Sequence, residues 1–388
     1  MFCMKRILYV VNDVGFFLSH RLPLAISAKD SGFEIHVASN DSQLETVLDG
    51  YGFSFYGFPI QRSGKNPFRE FLTFISLLSV FRTVKPDLVH LITIKPVLYG
   101  GIAARLTRVP SMVAAISGLG TVFVARGGRQ RLLKRMVSVL YRLSLGHRNL
   151  AVIFQNPDDR AALTNIGVVK ECQTRLIRGS GVALADCPIV AEPEGPPTVT
   201  MAARLLRDKG VVEFVEAARL LAGRGVSVRF RLIGSPDPGN LTTITQDELA
   251  AWEEEGLVEL PGYLNDIPVQ YAQSHIVCLP SYYGEGLPKS LVEAAACGRV
   301  VVTTDMPGCR DAIEPGKSGV LVPPRDAAAL ADAIQRLVEN PEERRSMGLA
   351  GRELAEREFA IDRIAASHLA IYQELEDKVG TIRPQHAS

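Results

Sequence analysis

The sequence has no CxxC pair, no apolar run long enough to cross a bilayer, and no acidic residue between Asp87 and Asp158. Each absence excludes something. The six cysteines, Cys3, Cys172, Cys187, Cys278, Cys297 and Cys309, are scattered, without a histidine at metal-ligand spacing. That argues against a disulfide framework and a structural zinc, and for a reducing compartment. The longest apolar stretch, "FLTFISLLSVF" at 71–81, is 11 residues, against the roughly 20 that a spanning helix needs. The apolar run after the N-terminus is too short for a signal peptide, so a cytoplasmic location is expected. The missing acids matter most, because the same stretch holds ten Lys or Arg. Residues 1–190 carry 23 Lys and Arg against 12 Asp and Glu, while the chain as a whole is at +1. The first half is expected to meet something anionic.

What is present fits an ordinary soluble globular chain, 47% hydrophobic and 22% charged over 388 residues, which is long enough for two domains. β-Branched runs such as "RILYVV" (6–11), "EIHVAS" (34–39), "DLVHLI" (87–92) and "LAVIFQ" (150–155) alternate with amphipathic stretches. "PTVTMAA" (197–203), "VRFRLIG" (228–234), "IVCLP" (276–280) and "RVVVTT" (299–304) repeat the pattern. Such alternation predicts parallel sheets covered by helices on both faces. The expectation is an α/β chain of two doubly wound, Rossmann-like domains, 1–185 and 197–360, with a cleft at the carboxyl ends of their strands. The proline-rich stretch 183–197 is the linker candidate, and a last helix over 361–378 is expected to pack back on the first domain.

A dinucleotide site is weakly supported, since "NDVGFFLSHRLP" has one glycine where the fingerprint needs three. A stronger signal is "SYYGEGLPKSLVEAAACG" (281–298), with Glu285 and Glu293 eight positions apart across a Gly-Leu-Pro step. Pro288 suits the first turn of a helix ending before Gly298. The helix start and the backbone of Gly286, Leu287 and Pro288 can then receive a phosphate. Glu293, about 7.5 Å further along the axis, is at a suitable distance to take ribose hydroxyls. Glu285 at the mouth can take sugar hydroxyls. In "MAARLLRDKG" (201–210), Arg204 and Lys209 follow a strand and precede a helix, which suits a diphosphate clamp.

These segments resemble glycosyltransferase family 4, retaining enzymes of GT-B fold. The matching pieces are "ARLLRDKG", "LPSYYGEGLPKSLVEAAACG", "LIGS" and "GYLNDIP", with "NDVGFFLSHRLPLA", "LYGGIAAR", "ISGLGTVF" and "IRGSGV" in the first half. The resemblance extends to bacterial enzymes that lengthen polyprenyl-diphosphate-linked sugars in glycan and lipopolysaccharide assembly. It implies that Arg204 and Lys209 hold the donor diphosphate, and that Glu285 and Glu293 hold the transferred sugar and the ribose. It also implies that the amide of Gly15 closes over the distal phosphate. The favoured donor is a UDP-N-acetylhexosamine and no cofactor is implied. The chain has no D-x-D triplet, which argues against a metal clamp and leaves the two cations in its place. Two other readings are a nucleotide-sugar epimerase of the same shape and a non-catalytic lipid- or polysaccharide-binding partner. The first is expected to lack the glutamate pair, and the intact clamp residues speak against the second.

Relatives carry a histidine in the loop after an early strand. Here that region is "LVHLITIKPVLYG", with His90 expected inside the strand as a core residue and Lys95 nearer the loop. Lys95 and His20 are candidate acceptor contacts, and His275 is expected to be structural. "RGGRQRLLKRMVSVLYRLSLGHR" (126–148) sets Arg129, Arg131, Lys134 and Arg135 among apolar residues at helical spacing. This is either a core face or an interfacial helix on the anionic inner surface of the membrane. The stretch 66–85 is a second such candidate, more apolar, for which a core face is favoured over an interfacial one. No recognition motif for nucleic acid accompanies the basic excess.

Overall fold

The computed structural model describes residues 4–40, 45–60, 66–119 and 128–382, with 128–136 and 381–382 described by backbone alone. The chain divides into two units, Met1–Ser180 with Ile361–Ser388, and Gly181–Ala360.

In the first unit, β1 (Lys5–Val10), β2 (Phe33–Ser39), β3 (Ser54–Gly57), β4 (Leu88–Ile92), β5 (Ser111–Ile116), β6 (Leu150–Phe154) and β7 (Thr174–Leu176) form one sheet. Its order is β3-β2-β1-β4-β5-β6-β7, and the pairings are parallel. β4, β5 and β6 are buried along their whole length, as continuous apolar runs in a two-sided parallel sheet should be. One face is covered by helices Pro67–Val84, Ile94–Leu106 and Gly128–Leu145 through Leu77, Phe81, Val97, Ala103, Tyr141 and Leu145. The other face is covered by Leu22–Asp30 and by the C-terminal helix Ile361–Ile382, through Leu24, Ala28, Ile364, Tyr372 and Leu375.

That last helix is fastened by charge as well as packing. Glu374 takes two hydrogen bonds from Arg175, at 2.6 and 2.7 Å, and Glu376 pairs with Lys5 at 2.7 Å. Deeper in, the Tyr372 hydroxyl meets His90 Nδ1 at 2.6 Å and the Tyr9 hydroxyl at 3.2 Å. His368 stacks on His90 with centroids 5.7 Å apart.

The second unit repeats the design. β8 (Thr198–Ala202), β9 (Arg229–Ile233), β10 (Val258–Gly262), β11 (Ile276–Leu279), β12 (Val300–Thr304) and β13 (Gly319–Val322) lie in the order β10-β9-β8-β11-β12-β13. The helix predicted over 210–225 runs Val211–Gly223. The proline-rich segment at 183–197 is bound to this unit. Cys187 is buried in its core, Pro193 O contacts His275 Nε2 at 3.0 Å, and Glu192 pairs with the buried Arg344 at 2.8 Å. His275 also accepts the Thr198 N–H at 3.0 Å, a structural role where the central strands β8 and β11 begin.

The apolar stretch 66–85 is core along one side, through Thr73, Leu77, Leu78, Phe81 and Val84. Phe68, Phe71, Leu72 and Ile75 are exposed on one stripe of the Pro67–Val84 helix. Helical periodicity marks which residues share a face, but it does not say over which turns a neighbour covers that face.

His90 and His368 yield a pH prediction. Burial, followed by the charges of neighbouring groups including Arg21, drives the His90 pKa well below its ordinary value. Burial and then Arg21 push His368 down to about 3. Burial lowers His36, His147 and His275 as well. These rings stay neutral in the fold, whereas the unfolded chain takes up protons below about pH 6.5. Stability is therefore intact above that pH and falls as pH drops towards the folded-state values, by at most about 1.4 kcal/mol per pH unit for each histidine. Thermal unfolding followed from pH 7.5 to 5 should show a falling midpoint, with a shallower fall in His368→Leu. A flat profile in the unmodified chain would contradict the assignment.

Candidate active site

In a doubly wound sheet the strand order reverses at one place, and the loops leaving the carboxyl ends of the two strands there diverge and open a crevice. In the second unit that place is between β8 and β11, which pair in parallel although β9 and β10 separate them in sequence. Arg204 and Lys209 lie on the loop after β8. Glu285, Gly286, Leu287 and Pro288 lie on the loop after β11, and Glu293 on the helix that follows.

The two loops are joined at one atom. The carbonyl oxygen of Asp208 accepts from the N–H of Tyr282 at 2.9 Å, the N–H of Tyr283 at 3.1 Å and the hydroxyl of Ser281 at 3.1 Å. Gly210 makes the approach possible. It sits at φ +81° as the N-cap of Val211–Gly223, and a Cβ there would stand 2.2 Å from the Pro280 carbonyl oxygen. Lys209, in a short 3-10 turn rather than an open loop, reaches the Glu285 carboxylate in a close ion pair. Ser281 donates to the same Glu285 oxygen at 2.9 Å. The two side chains of the pair are only 14% and 11% exposed, so each charge relies on the other. Arg204 Nη1 pairs with Asp237 Oδ2 at 2.6 Å.

Pro288 is the N-cap rather than the first helical residue, with φ −64° and ψ 120°, and the helix runs Lys289–Ala296. Its carbonyl accepts the N–H groups of Leu291 at 3.1 Å and Val292 at 3.3 Å, so the donors at the helix start are fewer than the sequence suggested. Glu293 is 13% exposed and has Lys289 Nζ at 3.3 Å. Burial raises its pKa and Lys289 opposes the rise.

The first unit has the same topology, with its reversal between β1 and β4. Gly15 is not in a loop but in the first turn of the helix Val14–His20, whose N-cap Asp13 accepts the Phe16 N–H at 2.8 Å. His20, at the end of that helix, stacks on Phe16 at 4.2 Å and meets Ser19 Oγ at 2.6 Å. After β4, Thr93 adopts φ +73° and ψ 169°, a costly region for a β-branched residue that is found mainly at functional sites. Asn12 Nδ2 donates to Thr93 Oγ1 at 2.8 Å, across the reversal point. Lys95 is held by Glu70 at 2.8 Å, and Glu70 also takes the Tyr99 hydroxyl at 2.5 Å. Arg129, Arg131, Lys134 and Arg135 lie on Gly128–Leu145, and their side chains fall outside the described residues.

The structure therefore groups Lys209 with Glu285, Arg204 with Asp237, and Glu293 with Lys289, while Gly15, His20 and Lys95 belong to the other unit. Sequence reasoning missed Asp237, Ser281, Lys289, Asn12 and Thr93. It also missed Gly308, at φ +81°, where a Cβ would lie 2.3 Å from the Gly286 carbonyl oxygen and 2.7 Å from that of Glu285.

Residues 6–156 match the family described as "Glycosyl transferase 4-like", and residues 186–354 match "Glycosyl transferases group 1". One similar protein is the Campylobacter jejuni N,N'-diacetylbacillosaminyl-diphospho-undecaprenol alpha-1,3-N-acetylgalactosaminyltransferase. It is 29% identical over 84% of this chain and 89% of that protein. Among solved structures, a sucrose-phosphate synthase from Thermosynechococcus elongatus superposes with a TM-score of 0.78 at 20% identity, covering 96% of this chain and 100% of that one. The Anabaena protein HepE in complex with UDP superposes at 0.74 with 17% identity, over 96% of this chain and 100% of that one.

Gly308→Ala tests how tightly the glutamate loop is held. The added methyl meets backbone and the φ is unfavourable, so the loop must shift. The expected results are a loss of roughly 1–3 kcal/mol in stability and loss of nucleotide binding beyond what that instability explains. Unchanged stability and binding would show that the Glu285–Gly286 backbone is not fixed by this contact.

Proposed function

The chain belongs to glycosyltransferase family 4, and from that premise we propose that it transfers an N-acetylhexosamine from a UDP-sugar to a polyprenyl-diphosphate-linked saccharide, with retention at the anomeric carbon. The observation carrying this reading is the meeting of Lys209 and Glu285 at the strand-order reversal, with Arg204 and Glu293 on the same two connections. The named activity of the Campylobacter relative, similar over 84% of this chain, supports the acceptor class and the N-acetylhexosamine. UDP bound to HepE supports the nucleotide. Assembly of a surface polysaccharide is the process such an acceptor serves.

The chemistry follows from where charge develops. The bond between the anomeric carbon and the β-phosphate oxygen breaks, and a bond to the acceptor hydroxyl oxygen forms on the same face. The acceptor's proton passes to the departing phosphate oxygen, so UDP leaves with the electron pair of the broken bond. Negative charge grows on that phosphate, and Arg204 and Lys209 are fixed cations for it, stronger in a site shielded from water. Glu293, in its largely buried position, takes the ribose hydroxyls, and Glu285 takes the sugar.

Arg204→Ala is expected to lower kcat/KM by roughly two to three orders of magnitude, with activity persisting in EDTA and the product configuration unchanged by NMR. Lys209→Ala should fail more broadly, because it strands the half-buried Glu285 carboxylate. A panel of UDP-, GDP- and ADP-sugars with a short polyprenyl-diphosphate saccharide gives the assay. Near-normal turnover by Arg204→Ala would overturn the clamp, and an inverted product would overturn retention.

An acceptor with a polyprenyl tail is presented at a bilayer, so peripheral attachment to the inner membrane surface belongs to the same proposal. No helix among the described residues is long and apolar enough to cross a membrane. Phe68 and Phe71 are 69% and 60% exposed. They share a helical layer with Val139, Leu140 and Leu143, all exposed, and with the acid-free basic stretch. Exposed aromatic residues and a basic excess in one unit suit an anionic lipid interface. Vesicles of phosphatidylglycerol and phosphatidylethanolamine should co-float with the chain and release it as salt rises, since screening cuts electrostatic reach to about 8 Å at physiological ionic strength. Phe68→Ser with Phe71→Ser, and separately reversal of Arg131, Lys134 and Arg135 to Glu, should each weaken flotation while leaving UDP binding intact. Flotation unaffected by both would exclude this face.

A further inference from the structure

Arg204 is already engaged by a carboxylate, and the chain holds that carboxylate in place. Asp237 stands between Pro236 and Pro238 in "SPDPGN", where the two prolines restrict the backbone. Its N–H donates to Thr243 Oγ1 at 2.9 Å, and its carbonyl accepts the Asn240 N–H at 2.9 Å. The loop 235–244 is laced to the loop after β8 by Leu205 N–H to Ser235 O at 3.0 Å, Arg207 N–H to Thr242 O at 2.8 Å and Ile244 N–H to Leu205 O at 2.8 Å. β8 and β9 are adjacent in the sheet, so guanidinium and carboxylate ride on two braced neighbouring loops. Their side chains are 36% and 26% exposed, which leaves the pair reachable by a ligand from solvent.

We propose that Asp237 is an exchange counter-ion for the donor diphosphate. Its carboxylate occupies Arg204 between turnovers, yields it when the nucleotide arrives, and takes it back as UDP departs. Asp237 is then a positioning residue, acting through Arg204 and not on the sugar. The logic is competition. A guanidinium with no internal partner would hold UDP most tightly after transfer, once the freed phosphate releases the proton it took from the acceptor and gains a charge. An internal carboxylate lowers the apparent affinity by the fraction of time it occupies the cation. It thereby shortens the stay of product. Lys209 and Glu285 repeat the arrangement on the neighbouring loop, so both cations of the site carry an internal anion.

This inference rests on Arg204 being a diphosphate ligand, and the test separates the two. UDP binding is measured by titration calorimetry on the full chain in four forms: unmodified, Asp237→Asn, Arg204→Ala, and both changes together. Asp237→Asn is expected to tighten UDP by roughly two- to fivefold, the range an ion pair of this exposure allows. KM for the donor should fall with it, and kcat should fall as product release slows. Arg204→Ala should weaken UDP, and adding Asp237→Asn to it should change little further. A purely structural Asp237 would weaken UDP binding when replaced, and that result, or unchanged binding, overturns the proposal. Tightening of the same size without Arg204 also overturns it, since the aspartate would then act only by its field. If Arg204→Ala leaves UDP binding untouched, the clamp itself fails and the exchange with it. Should Asp237→Asn fold poorly, Asp237→Ala gives the same readout, with thermal unfolding as the control.

Discussion

The loops after β8 and β11 come from strands that touch in the sheet and then part, and what joins them again is the carbonyl oxygen of Asp208. Three donors from Ser281, Tyr282 and Tyr283 converge on that one atom. The two N–H groups match its two lone pairs, and the single hydrogen of Ser281 is shared between this oxygen and Glu285. The consequence is positional. Lys209 follows Asp208 directly and Glu285 lies four residues after Ser281, so fixing this junction fixes the ammonium against the carboxylate. Gly210 and Gly308 complete the constraint from either side, each where a methyl group would strike backbone. The charged residues are thus set by backbone geometry.

Much of this design was legible along the chain. β4, β6, β8, β11 and β12 are continuous β-branched or apolar runs and were found with bounds close to those observed. β3 and β7 are short and lack a continuous β-branched or apolar run, and β13 is four residues opened by a glycine. β10 contains a proline and a glutamate, and β5 carries two alanines, so both argue against strand locally and owe their conformation to neighbours in the sheet. The glutamate spacing and the Arg204–Lys209 segment were legible because one local element carries each. Asp237 and Gly308 were not, since their partners are 33 and 22 residues away and no local pattern announces such a meeting.

The charge excess of the first unit has a structural basis that composition alone does not reveal. Glu70, on a helix of the same layer, is consumed by Lys95 and Tyr99. Arg105 and Arg142 donate to the carbonyls of Leu143 and Ile166 at 2.5 and 2.6 Å. A guanidinium that satisfies a carbonyl keeps its full charge, whereas one paired with a carboxylate is neutralised. The second unit takes the other course, with Arg219, Arg231, Arg336 and Arg344 each facing a glutamate. The first unit keeps a net positive charge after folding, and the second, with more acidic than basic residues, keeps a net negative one.

Both units use the same topology, yet they bridge its reversal point differently. In the second unit the bridge is main chain to main chain and strengthened by buried charge. In the first it is a side-chain contact, Asn12 to Thr93, and Thr93 holds a φ of +73° that costs about 1–3 kcal/mol. A strained threonine persists only where its surroundings over-determine it, and a glycine at that position would remove the strain outright. Retaining threonine therefore has to be worth more than the relief. The hydroxyl and its contact with Asn12 are what glycine would forfeit, which ties the value of the residue to the loop crest where the first unit presents its polar groups. The second unit thus closes its reversal point with main chain, and the first with a polar side-chain contact.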